Sequence, residues 1–331
     1  MPVTSDKLFA PPMDTRYLLV LYLCGGCALL SFLSAVRLVL RHLRTGRART
    51  GLLTPDEQAA EAMAFALSIP VFAGLSFLAV VLVELAEVWT FFQTLILAQN
   101  FARIPECFTR GNLGMQRLHH LLRSQELPAV RVYGHAPCCC LRAVWKESTP
   151  RPDDFPRLKL GIWQMCVIVP LFEFLDVIVA EEVYLGSVWV RSMPLPWMKY
   201  RQIAKVVSQL YCVSCCKGLA ELVTALEDSP EEKRVLGKKL LYCQSYVWGM
   251  NLIPNLLWGC SLKFWGTEQL LNEAALTHLE MSNFITHACT CVATVVVTAA
   301  AWRAFPPVSD ELPGGLGGGS MRKPMLSSTG P

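Results

Sequence analysis

The sequence predicts an all-α membrane protein, a bundle of seven transmembrane helices with the N-terminus extracellular or lumenal and the C-terminus cytoplasmic. Three observations carry this. Of the 331 residues, 53% are hydrophobic and only 17% charged, with a mean hydropathy of +0.38, where a soluble domain carries about a quarter charged residues. The apolar residues gather into long runs, and a bilayer core of ~30 Å needs ~20 mostly apolar helical residues per crossing. The Lys and Arg residues fall between those runs in alternate loops. The net charge of +4 is modest and clustered, which gives no face for a nucleic acid.

Residues 1–16 are polar and contain three prolines. They do not resemble a signal peptide, so the first span is read as retained. That span is 17–40, interrupted by Arg37 near its end, and Arg41, Arg44, Arg47 and Arg49 follow it. The apolar stretch Ala59–Phe101 is too long for one crossing. It divides into spans 59–77 and 79–102 with a tight turn near Gly74–Leu78, and Glu84 and Glu87, three apart, share a helix face of the third span. The longest hydrophilic segment, 103–159, holds Pro137-Cys138-Cys139-Cys140. Span four is 160–180, ended by Glu181-Glu182. Pro194-Leu195-Pro196 marks a loop, and span five is 200–226. Spans six and seven are 240–259 and 281–305, and Pro306-Pro307 opens a Gly/Ser/Pro-rich tail, 306–331, read as disordered. Prolines 70, 170 and 254 fall inside spans, where each frees a carbonyl and favours a kink.

Seven crossings divide the hydrophilic segments into two sets. Segments 41–58, 103–159, 227–239 and 303–331 hold four, ten, four and three Lys or Arg, 21 of the 30 in the chain. The opposite set, with the N-terminus, holds five: Lys7, Arg16, Arg191, Lys199 and Lys263. The positive-inside rule then places the first set in the cytoplasm. Merging spans two and three would scramble this bias, which is the reason for dividing them.

The cysteine run thus lies on the reducing side of the membrane. Three adjacent cysteines make a poor tetrahedral metal site, so zinc held by Cys138–Cys140 with His135 is the weaker reading. Thiols beside a membrane among basic residues suit S-palmitoylation at Cys138, Cys139 and Cys140; covalent palmitate is the expected modification and no cofactor is expected. Cys24-Gly25-Gly26-Cys27 and Cys212-x-x-Cys215-Cys216 have redox-like spacing, but inside apolar helices they read as small packing residues.

Ionisable groups within apolar runs are the sharper signal, because they face a bundle interior or an aqueous cavity. Glu173 and Asp176 share a face of the fourth span, and Arg201 and Lys205 lie one turn apart in the fifth. All fall in the outer half of the membrane with Glu84 and Glu87. They read either as a hydrated vestibule, in which Arg201 and Lys205 meet an anionic solute or these acids, or as a wetted interfacial rim. Lys217 and Glu221 are deeper and read as a structural pair; Asn251, Pro254 and Asn255 add polarity at the sixth span. His119-His120 read as solvated loop residues, and the sequence holds no Walker loop, nucleotide fingerprint or His-Glu-x-x-His motif, so no enzyme is expected.

With the Pro-Cys-Cys-Cys run and seven spans, further residues are similar to a known family. Gln164, Cys166 and Pro170 match a Gln-x-Cys…Pro pattern. Leu226, Pro230, Lys233, Lys239, Ser245, Gly249 and Met250 match its fifth and sixth spans, and Asn283-Phe284-Ile285 its Asp-Phe-Ile start to the last span. From about Tyr17 to Phe305 the chain resembles the organic solute transporter alpha-subunit family. It departs at Val169, where relatives are often basic, at Cys289, where they carry a glutamate, and at Val247-Trp248, an aromatic pair in relatives. The resemblance implies gradient-driven passage of amphipathic organic anions, such as conjugated steroids or bile acids, at the plasma membrane or an endomembrane. It also implies a single-span beta-type subunit as partner and palmitate on the cysteine run. Candidate solute-binding residues are Arg201, Lys205, Lys217, Asn251, Gln164, Glu173 and Asp176, against a groove of spans five and six. Further expected partners are membrane lipids, sterols and a second copy of the chain; nucleic acid is not expected. Two other classes share the topology. A seven-span receptor is disfavoured by Asn100-Phe101-Ala102-Arg103 at the end of span three and by the long inner loop after it. A non-transporting scaffold or trafficking protein would lack a continuous groove.

Overall fold

Long apolar runs leave the backbone no water to bond with, so it closes its hydrogen bonds within helices. The computed structural model describes residues 15–50, 57–109, 129–133, 147–184, 195–226, 230–254, 256–257 and 278–305. Among these, seven α-helices follow in order: α1 (Thr15–Thr50), α2 (Glu57–Val81), α3 (Ala86–Thr109), α4 (Asp154–Tyr184), α5 (Leu195–Leu226), α6 (Pro230–Val247) and α7 (His278–Ala304). The described residues contain no strand, only one antiparallel bridge between Val130 and Ser148. Five stretches are long and apolar enough to cross a membrane: Tyr17–Arg44, Ala62–Val81, Asp154–Ile178, Ile203–Leu226 and Asn283–Ala304. The protein is an integral membrane protein of the all-α class. Helices α3 and α6 fall outside that set for a compositional reason. The first carries Glu87, Gln93, Asn100, Arg103 and Glu106, and the second opens Pro-Glu-Glu-Lys-Arg.

The helices outrun the apolar stretches. The 36 residues of α1 make a rod of ~54 Å, well beyond a ~30 Å hydrocarbon core, and its last turns carry the four arginines assigned to a loop. Helix α6 likewise begins at Pro230, inside the expected loop 227–239. Proline suits the first helical position because its missing N–H has no partner there anyway. The helix then widens into a π-helical turn, Trp248–Leu252.

The break between the second and third helices falls at Leu82–Leu85, not at Gly74–Leu78. Gly74 lies within α2, and Leu82 leaves the helix with φ −112° and ψ 69°, followed by a 3₁₀ turn, Val83–Leu85. An apolar helix in lipid gains by continuing until polar residues arrive, and here they arrive at Glu84. That residue lies in the 3₁₀ turn while Glu87 lies in the first turn of α3, so the two do not share one helix face. Pro70, Pro105 and Pro170 all sit inside continuous helices.

Helix α1 packs on α2 and α7, α2 on α3 and α7, α3 on α4 and α5, α4 on α5, and α5 and α7 on α6. The core is rich in aromatic edges: Tyr242 and Tyr246 of α6 meet Phe65 and Phe72 of α2, Phe101 of α3 and Phe305. A smaller cluster joins Cys24, Val80, Val83, Phe284 and Cys291. Residues 129–133 also enter the core, with Val132 only 2% exposed among Phe155, Leu158 and Cys215. They are fastened by the Val130–Ser148 backbone pair at 3.1 Å, an Arg131–Glu147 ion pair at 3.5 Å and a hydrogen bond from the Tyr133 hydroxyl to Asp154 at 3.0 Å. Partial burial and the Asp154 carboxylate raise the Tyr133 phenol above its ordinary range. The segment bearing Cys138–Cys140 runs between these two fastened stretches and lies outside the described residues, as do His119, His120, His135 and the tail.

One glycine sets this docking. A Cβ at Gly218 of α5 would collide with the Val132 carbonyl oxygen and stand 3.1 Å from Leu158 Cδ2. Gly218→Val should therefore expel residues 129–133, lower stability by about 1–3 kcal/mol and expose Arg131 to trypsin. Thermal unfolding and limited proteolysis of the detergent-purified protein check this; an unchanged midpoint and digest would contradict it.

Candidate functional site: a polar seam between the fourth and fifth helices

Helices α4 and α5 run antiparallel and meet closely because Gly161 of α4 leaves room for Cys215: a Cβ at Gly161 would overlap its Sγ and stand 3.2 Å from the Tyr211 ring. Small residues allow this approach where no hydrophobic force drives helices together. Cys215 and Cys216, like Cys24, are buried in the thiol form, so here cysteine serves as packing. Among the described residues no group of three or more His, Cys, Asp or Glu could hold a metal ion.

Along this contact the polar side chains line up. Nearest residues 129–133, a cavity of about 440 Å³ is lined by Tyr133, Arg157, Leu160, Gly161, Gln164 and Tyr211. Next, Gln164 and Ser208 bond reciprocally. The Gln164 amide donates to the Ser208 carbonyl, and the Ser208 hydroxyl donates to Gln164 Oε1, both at 2.9 Å. Two to three turns further, Lys205 Nζ donates to Glu173 Oε1 and Asp176 Oδ2, each at 2.9 Å, and Arg201 pairs with Asp176 Oδ1. Glu173, Asp176, Arg201 and Lys205 are 2%, 6%, 3% and 1% exposed. Of the expected alternatives, the fold selects the one in which Arg201 and Lys205 meet these acids, enclosed by protein rather than hydrated. Paired in this way the four charges sum to zero, which is what an apolar surround demands.

The cluster has a third helix beside it. Glu87 of α3 lies within electrostatic reach of Glu173, Arg201 and Lys205, and it accepts a hydrogen bond from Asn283 of α7 at 3.0 Å. Arg201 is incompletely satisfied. Its Nε and Nη1 are buried and find no acceptor among the described residues.

The sequence-derived candidates therefore divide. Gln164, Glu173, Asp176, Arg201 and Lys205 form one seam. Lys217 is half-buried twelve residues beyond Lys205, a rise of ~18 Å along α5, and stands apart. Asn251 is in the π-helical turn of α6, and its side chain lies outside the described set, as does Asn255. Sequence reasoning passed over Ser208, whose signal was its spacing of three from Lys205 on one helix face. It also passed over the polar residues of α3. Gln93 donates to Ser76 at 2.7 Å, Thr90 bonds His287 at 3.1 Å, Asn100 donates to Tyr246 at 3.0 Å, and Lys239 reaches the Cys107 carbonyl at 3.2 Å. Each is a polar group in an otherwise apolar helix, a pattern visible in sequence but without its partner.

Removing one member of a buried ion cluster leaves an uncompensated charge, at about 3–5 kcal/mol. Lys205→Met should destabilise the purified protein by that amount. Lys205→Met combined with Glu173→Gln, which leaves Arg201 and Asp176 as a balanced pair, should recover most of it, by thermal unfolding. Equal stability of all three proteins would remove the cluster's structural role.

Residues 20–310 match the family model described as "Organic solute transporter Ostalpha". The comparison with curated proteins gives no match, and neither does that with solved structures. The matched span takes in every helix contributing to the seam, and the chain belongs to the Ostalpha family of organic solute transporters.

Proposed function

We propose that the protein is the alpha-type subunit of a facilitative transporter that moves amphipathic organic anions, steroid conjugates or bile-acid-like molecules, down their gradients. The observation that carries this reading is Arg201, a cation 3% exposed with two N–H donors lacking an acceptor. A guanidinium offers a planar fork matched to carboxylate and sulfate oxygens. In this reading Lys205, held by Glu173 and Asp176, braces the site, and the solute's anionic group meets Arg201 while its apolar body lies along the lipid-facing side of α5. Exposed Ile203, Val207 and Tyr211 supply such a surface. Gradient-driven passage agrees with the absence of a nucleotide fingerprint from the sequence.

The same reading includes seven crossings with the N-terminus outside, supported by the 21 of 30 basic residues on the other side. It includes a single-span beta-type partner, the counterpart of an alpha-type subunit, and acyl chains on Cys138, Cys139 and Cys140. Each buried CH₂ of such a chain adds about 0.8 kcal/mol of membrane affinity.

Two experiments test this. Uptake of a labelled steroid sulfate by cells co-expressing the chain and a beta-type subunit should fall about tenfold in Arg201→Gln at equal surface level. Arg201→Lys should keep a fraction of it. Unchanged uptake of every anionic solute tried would remove Arg201 from the site. Acyl exchange should label the wild type and not the Cys138→Ser/Cys139→Ser/Cys140→Ser variant; equal labelling would place the acyl chains elsewhere.

A further inference from the structure

Helix α7 brings a further polar group to the turn of α3 beside the charged seam. The Thr90 hydroxyl of α3 donates its proton to the Ala86 carbonyl at 2.8 Å. Its oxygen, 3.1 Å from His287 Nε2, is therefore left to accept, and the His287 Nε2–H donates. A neutral imidazole that donates from one ring nitrogen accepts at the other, so Nδ1 carries a bare lone pair. His287 is 3% exposed, and its Nδ1 finds no donor among the described residues. Two neighbours share this state. The Trp89 indole N–H, one residue before Thr90, has no acceptor there, and the Thr286 hydroxyl, one residue before His287, has no partner there. An acceptor, a donor and a hydroxyl thus stand unanswered around the one α3–α7 contact that Thr90 and His287 make. Leaving buried polar atoms in this state is costly, and a fold that retains them calls for a bound group that completes them.

The position of the contact points to the molecule that supplies this group. Glu87, one turn before Thr90, lies within electrostatic reach of Arg201 and accepts from Asn283, one turn before His287. Arg201 and His287 therefore address the same turn of α3, whose residues 87 to 90 rise ~4.5 Å. We infer that His287 is a specificity-determining residue of the solute site, accepting a hydrogen bond from a hydroxyl at the neutral end of a solute whose anionic end meets Arg201. A hydroxyl oxygen completes both sides of the contact, because its proton goes to Nδ1 and its lone pairs take the indole N–H. A ketone oxygen takes the indole N–H and leaves Nδ1 bare. A second carboxylate or sulfate would face that lone pair and the Glu87 carboxylate. The substrate class narrows from amphipathic anions in general to monoanions bearing a remote hydroxyl. The inference rests on the reading of Arg201 as the anion receptor.

The test is equilibrium binding of labelled estrone sulfate and estradiol sulfate to the full chain in nanodiscs, together with a beta-type subunit. The two steroids carry the same phenolic sulfate and differ at one oxygen, a ketone in the first and a hydroxyl in the second. Wild type should bind the estradiol conjugate about tenfold more tightly, the worth of one buried hydrogen bond. His287→Gln, which keeps an acceptor oxygen beside an N–H for Thr90, should keep part of that preference, and His287→Leu should bind the two alike. Should His287→Leu not fold, the wild-type ratio and His287→Gln still decide the matter. Arg201→Gln should weaken both conjugates and keep their ratio. Equal affinities in wild type, as when an ordered water already fills the contact, would overturn the inference and leave the anion site in place. So would a preference for the ketone, or an undiminished hydroxyl preference in His287→Leu. Binding of neither steroid by wild type would overturn the anion-receptor reading and this inference with it.

Discussion

The Lys205 ammonium, shared between Glu173 and Asp176 at 2.9 Å each, is the interaction on which the placement of α4 and α5 depends. An isolated charge in an apolar interior is expensive, and the cost is met only when partners and geometry are both supplied. Two acids on one helix and two bases on the next satisfy that condition at one relative height of the helices. A slide of α5 by one turn would carry Lys205 ~5.4 Å from both carboxylates and break the present pairing. The Gln164–Ser208 pair and the Gly161–Cys215 contact fix the same height independently, and Gly218 then receives residues 129–133 at the seam's end.

Helix α3 shows the complementary device, single hydrogen bonds in place of charge pairs. Gln93, Thr90, Asn100 and Glu87 tie it to α2, α7, α6 and again α7, and the Lys239 ammonium reaches its final turn. Such bonds are worth only about 0.6 kcal/mol each on average in membranes. Their value lies in direction, since each fixes one helix face toward one neighbour. The polarity that keeps α3 out of the set of apolar candidate spans is the polarity that makes it central. Lys239, buried against the α3 carbonyl at Cys107, also explains why α6 begins before its apolar stretch: the helix must already be formed at that residue.

Much of this was legible in the sequence, because lipid imposes simple rules. Helix existence and order follow from apolar length, and the four charges of the seam stand out because charges inside such runs are scarce. Their mutual pairing was one of two alternatives on the sequence, and burial in the fold selects it. What stayed hidden depends on contacts between distant residues. The break after Val81 is set by where polarity resumes, not by the glycine at 74. The continuation of α1 past Arg41 and the early start of α6 lie in polar sequence, where hydropathy is silent about helix. Nothing local to Ser208, Gly218 or Val132 names its partner. Lys217, read as deeper and paired with Glu221 yet kept among the solute-binding candidates, stands twelve residues of helical rise from Lys205.

The central claim is that a neutral, buried ion cluster holds α4 to α5, and exchanging its charges tests it most directly. Asp176→Arg and Arg201→Asp, each alone, should leave like charges face to face and reduce the folded, monodisperse protein recovered from membranes to a small fraction of wild type. The double variant, with the charges swapped across the same contact, should restore most of that yield. A double variant no better than either single one, or single variants recovered at the wild-type level, would contradict the account.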